Sequence, residues 1–124
     1  LIGLCGLLVA CDDGASPCVI DAPPADCAPL YPPTFDQVYA RTLMPTCALG
    51  GCHDAYAAKG MLVLDTPDAA YDALVQGGRA DPGCAMLLER IDSHEPGWQM
   101  PPGQRLSTAE RCAVHQWINA GALR

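Results

Sequence analysis

A chain of 124 residues holds one domain at most, and its Pro- and Ala-rich first third leaves under about a hundred residues for a core. A net charge of −7 with only seven Lys and Arg argues against a nucleic-acid binder, which needs clustered positive charge. Eight cysteines in so short a chain are rare in reducing cytosol; they point to an oxidising compartment and to a small core helped by a disulfide, a metal or a cofactor.

Leu1 to Ala10 is almost wholly apolar and too short to span a bilayer, which takes about 20 residues. It has the length of a signal-peptide apolar stretch, and Leu8-Val9-Ala10-Cys11 resembles a bacterial lipobox. Residues 1–10 are thus expected to be a signal remnant. Cys11 is expected to become a lipidated N-terminus, each buried methylene of its acyl chains contributing roughly 0.8 kcal/mol of membrane affinity. Residues 11–33, rich in Pro, Ala and Asp, read as a tether, because Pro23-Pro24 and Pro32-Pro33 resist helix and sheet. The other reading of this stretch is an ordered extension wrapped on the domain.

From Thr34 the texture becomes helical. Thr34-Phe35-Asp36-Gln37 is a capping box, Phe35, Val38, Tyr39 and Leu43 follow at helical spacing, and Pro45 is expected to stop the run. A short helix over Ala55 to Lys59 is expected to end at Gly60. Thr66 caps the next, with Pro67 at its first position, Tyr71 and Leu74 inward, and Gly77-Gly78 beyond it. Cys84 to Ile91 reads as another helix. Ser107-Thr108-Ala109-Glu110 caps the last, with Ala113, Val114, Trp117 and Ile118 on one face. With no sustained period-two pattern, the expected fold class is all-α, four to five short helices over residues 34–124.

The segment with chemistry is Cys47-Ala48-Leu49-Gly50-Gly51-Cys52-His53. Covalent haem attachment uses two thiols that add to the two vinyl groups and an adjacent imidazole that ligates iron, usually as Cys-x-x-Cys-His. Here the Cys-His dipeptide is intact and the gap is two residues longer. Gly50 and Gly51 sit where the extra residues would bulge. Met100, just before Pro101-Pro102, is the candidate for the second iron ligand, since a thioether is a soft donor. His94 and His115 are rival ligands, both expected at the surface.

These pieces together resemble a small c-type cytochrome domain of the planctomycete cytochrome c type. The resemblance rests on Phe35 to Leu43, Cys47 to His53, Met61 to Asp65, Ala69 to Gly77, Leu87 to Ile91, Met100 to Gly103 and Trp117 to Ala122, in that order. It implies one covalent haem c, with His53 as proximal ligand, Met100 as distal ligand, and Cys47 and Cys52 as thioether positions. It also implies that the first and last helices cross, Phe35 and Tyr39 meeting Trp117. The implied function is electron transfer with a redox partner protein, in an exported lipoprotein held at a membrane in the periplasm or on the cell surface. No enzyme activity and no nucleic-acid partner are expected.

Setting aside Cys5, Cys11, Cys47 and Cys52 leaves Cys18, Cys27, Cys84 and Cys112, which allow three pairings. Cys84–Cys112, joining the fourth helix to the last, and Cys18–Cys27, within the tether, are the expected ones. Without haem, Cys47–Cys52 would make a third disulfide, and the chain would be a stapled lipoprotein domain with a binding or structural role. A zinc or copper site on Cys47, Cys52, His53 and Cys84 is a third reading, disfavoured where thiols pair.

Overall fold

A computed structural model describes Cys18 and residues 20–124. Among them lie four α-helices and no strand: α1 (Phe35–Val38), α2 (Pro67–Tyr71), α3 (Met86–Asp92) and α4 (Thr108–Asn119). Both α1 and α2 continue directly into wider π-helical turns, Tyr39–Cys47 and Asp72–Gln76. The chain has the small all-α fold that its periodicity predicts. The apolar start and Cys11 lie outside the described residues, and no helix among those described is long and apolar enough to cross a membrane.

Three polar side chains open three of the helices by taking orphan backbone donors. Thr34 Oγ1 accepts from the Gln37 N–H at 3.4 Å, Thr66 Oγ1 from the Ala69 N–H at 3.2 Å, and Ser107 Oγ from the Glu110 N–H at 3.1 Å. The helices then bury Phe35, Val38, Leu43, Leu74, Leu88, Trp117 and Ile118, each almost wholly removed from water. Phe35 is the hub: its ring centre lies 5.0 Å from Tyr71, edge-on, 5.7 Å from Trp117 and 6.0 Å from Tyr39. The first and last helices thus meet through Phe35 and Trp117, with Tyr39 reaching Trp117's neighbour Phe35.

The helical run does not stop at Pro45. It carries on to Cys47, and the Ala48 N–H bonds the Leu43 carbonyl five residues back at 3.0 Å. A π-helical turn is wider than an α-turn, which relieves the clash of a proline ring with the preceding carbonyls. As a result Cys47 sits at the end of a helix whose other end is rooted in the core. The helix expected over Ala55 to Lys59 is instead a set of turns. Asp54 Oδ1 takes the Ala57 N–H at 2.8 Å, and Ala58 lies at φ 42, so side-chain competition and a left-handed residue end helical propagation before it starts. One 3-10 turn, Lys59–Met61, follows.

The N-terminal segment corrects two further expectations. From Ile20 it is no free tether but packs on the domain: Ile20 lies against the core and Tyr31 is buried. The Leu30 N–H donates to the Ala109 carbonyl at 3.0 Å, Gln116 Nε2 to the Cys27 carbonyl at 3.0 Å, and Arg111 Nη1 to the Asp21 carbonyl at 3.0 Å. Cysteine pairing follows the same wrap. Cys18 bonds Cys84 and Cys27 bonds Cys112, in place of Cys84–Cys112 and Cys18–Cys27. A segment held along α4 brings Cys27 to Cys112 and lets Cys18 reach Cys84, just before α3, rather than pairing the two with each other. The wrap also explains why α4 is buried nearly all round, at Arg111, Cys112 and His115 as well as on the expected Ala113, Val114, Trp117 and Ile118 face.

Candidate functional site

A cavity of about 350 Å³ opens between the end of the Tyr39–Cys47 helix, the 52–64 turns, α3 and the 100–102 loop. Its walls are mostly apolar, with Leu43, Leu62, Leu64, Leu74, Leu87 and Ile91 among them. Cys47, Cys52, His53 and Met100 line it too, so four residues spread over more than fifty positions of sequence share one enclosure. Its three cationic side chains are Lys59, Arg79 and Arg90.

Cys47 and Cys52 are the free cysteines among the described residues. Burial pushes the Cys47 thiol up to about 11, and the charges of Glu110 and Cys52 add to that rise. The ligand atoms of Cys47, Cys52 and His53 do not converge on a common point as one ion requires, and Cys84 is committed to Cys18. The zinc or copper reading is therefore corrected by the geometry. The one convergent group among the described residues, Cys18, Cys84 and Glu89, contains that disulfide.

His53 is held by its neighbours. Its N–H bonds the Cys47 carbonyl at 3.2 Å, and its carbonyl takes the Leu64 N–H at 2.7 Å. Its Nδ1 lies 2.9 Å from the Lys59 carbonyl oxygen. A carbonyl only accepts, so Nδ1 carries the proton, and in the neutral ring Nε2 keeps its lone pair free. Fixing one ring nitrogen so that the other can ligate is how proteins orient imidazole toward a metal.

Met100 is fixed by its backbone, its N–H donating to the Arg90 carbonyl of α3 at 2.9 Å. The 95–100 turn below it is closed by the Trp98 and Gln99 N–H groups, both on the Glu95 carbonyl, at 3.0 and 2.9 Å. The donor set fits haem: two free thiols beside a histidine with a free Nε2, and a thioether lining the same apolar cavity.

The rival histidines are used elsewhere. His94 is exposed, bonded through Nε2 to Asp21 at 2.8 Å. His115 is not at the surface as expected. It is buried, with Nε2 2.6 Å from Asp92 Oδ2, while Arg111 Nη1 takes Asp92 Oδ1 at 2.7 Å. Asp92 is completely buried, so the pair supplies the charge and hydrogen bonds its carboxylate needs. Sequence reasoning did not single out Asp92, and its polar position at the end of an apolar helix carries no local signal of burial. Nor did it find Glu110's second role. Beyond capping α4, Glu110 Oε2 accepts from Thr42 Oγ1 at 3.1 Å, which leaves the Tyr31 hydroxyl to donate to Thr42.

Residues 50–104 match the family described as planctomycete cytochrome C. The matched stretch holds Cys52, His53 and Met100 and begins just after Cys47. No curated protein and no solved structure matches the chain. The match spans under half of the chain and supports a small cytochrome c-type domain there.

Proposed function

We propose that the chain is an electron-transfer protein with one covalent haem c, Cys47 and Cys52 forming the thioethers and His53 and Met100 ligating iron. The observation that carries this reading is the shared cavity: two free thiols, an imidazole with Nδ1 already satisfied, and a thioether on walls that are otherwise apolar. Bound haem supplies one-electron exchange between ferric and ferrous iron, and His/Met ligation raises its reduction potential. The residues do the rest. The Lys59 carbonyl keeps Nε2 of His53 available, the leucines exclude water, and Lys59, Arg79 and Arg90 line the cavity with positive charge that would pair with the two haem carboxylates. His53 and Met100 would hold the iron between them and leave no open position for a substrate, which supports a carrier rather than an enzyme. Its electron donor and acceptor are redox proteins. Export, and anchoring through a lipid on Cys11, complete the reading and agree with the two disulfides of an oxidising compartment.

The test is export-competent expression with haem maturation, followed by intact-mass spectrometry. A mass gain of one haem, a red colour that survives a denaturing gel, and a ferrous spectrum altered by Met100→Ala are expected. A colourless product whose mass shows Cys47 bonded to Cys52 overturns the proposal in favour of a haem-free, disulfide-stapled lipoprotein domain.

A further inference from the structure

Arg90 touches the loop that presents Met100 in three ways. Its carbonyl accepts the Met100 N–H at 2.9 Å, its Nη1 donates to the Trp98 carbonyl at 3.2 Å, and its guanidinium carbon lies 3.7 Å from the centre of the Trp98 ring. Trp98 is 42 % exposed, so its large ring is not there to fill the core. Gln99 Nε2 adds a bond to the Pro101 carbonyl at 3.1 Å, closing the loop over the same stretch.

We infer that Arg90 and Trp98 form a clamp that fixes where the Met100 sulfur is presented to the cavity, Arg90 being a positioning residue for that ligand. The chemistry selects arginine: a planar guanidinium stacks on an indole and still donates in its own plane, which a lysine ammonium cannot do. The clamp is a property of the chain itself. Its consequence for iron rests on the reading of Met100 as a ligand.

The experiment uses the full chain, haem-free and haem-loaded, as wild type, Trp98→Ala, Trp98→Phe, Arg90→Lys and Arg90→Gln. In the haem-free chain, hydrogen exchange at the Met100 amide is expected to speed by roughly 2- to 5-fold in Trp98→Ala, the factor a lost cation–π contact at an exposed ring allows. Trp98→Phe restores part of the protection. Arg90→Lys keeps the charge on the cavity wall and still loses protection, which separates the clamp from a charge effect. In the loaded protein the sulfur-to-iron charge-transfer absorption weakens in Trp98→Ala and recovers in Trp98→Phe. Trp98 is a surface ring, so its variants report even if Arg90→Gln fails to fold. Wild-type exchange at Met100 in Trp98→Ala overturns the clamp. A spectrum indifferent to Met100→Ala removes the ligand reading alone, and the exchange result then decides the clamp on its own.

Discussion

Cys47 carries the thiol whose environment departs most from water. Burial raises it from an ordinary value near 9.0 to about 11. In the haem-free chain its alkylation rate, followed by mass on the Cys47 peptide, is therefore expected to climb until pH reaches about 11. A plateau near pH 9 would contradict the buried geometry. The sign for stability follows. Between these values the unfolded chain releases the Cys47 proton and the folded chain keeps it, so this group lowers stability as pH rises from about 9 to about 11. Removing Asp92 strands Arg111 and His115 inside the domain. Asp92→Ala is expected to cost about 3–5 kcal/mol in urea unfolding, because it leaves a buried charge uncompensated. A loss under 1 kcal/mol would mean that Arg111 finds water.

At the scale of elements, the three capped helix starts and the end at Gly77 were legible, and the end of the first helix was not. Thr34, Thr66 and Ser107 announce their helices because a cap acts within three residues, a range the sequence displays directly. Ser107→Ala is expected to lower stability by about 1 kcal/mol, read from the denaturation midpoint, with the cavity residues unaffected. The run through Pro45 was not legible, since a proline's local preference is to stop a helix; here the packing of Phe35, Val38, Tyr39 and Leu43 overrides it and delivers Cys47 to the cavity. The Ala55 to Lys59 stretch failed the other way. Asp54 spends its side chain and carbonyl on the turn, a competition that composition alone does not reveal.

Across the whole molecule, the wrapped N-terminal segment ties residues 20–31 to α4 and, through Cys18–Cys84, reaches the turn before α3. Its two disulfides differ in access: Cys18 and Cys84 are both exposed, while Cys112 is fully buried. Stepwise treatment with a mild thiol reductant should open Cys18–Cys84 first, with Cys27–Cys112 following only as the fold opens, as trapped-thiol peptide mapping would show. Losing Cys27–Cys112 is expected to cost about 3–5 kcal/mol, given the long loop it closes.

The helical class, the caps and the Cys-His segment are set by the sequence, because each depends on neighbours a few positions away or on a periodicity that any window displays. The pairing of the cysteines, the burial of His115 against Asp92, the docking of residues 20–31 on α4, and the gathering of Met100 with Cys47, Cys52 and His53 around one cavity were decided by the tertiary structure. Those contacts join segments tens of residues apart, and only the closing of the core determines which surfaces are left to meet.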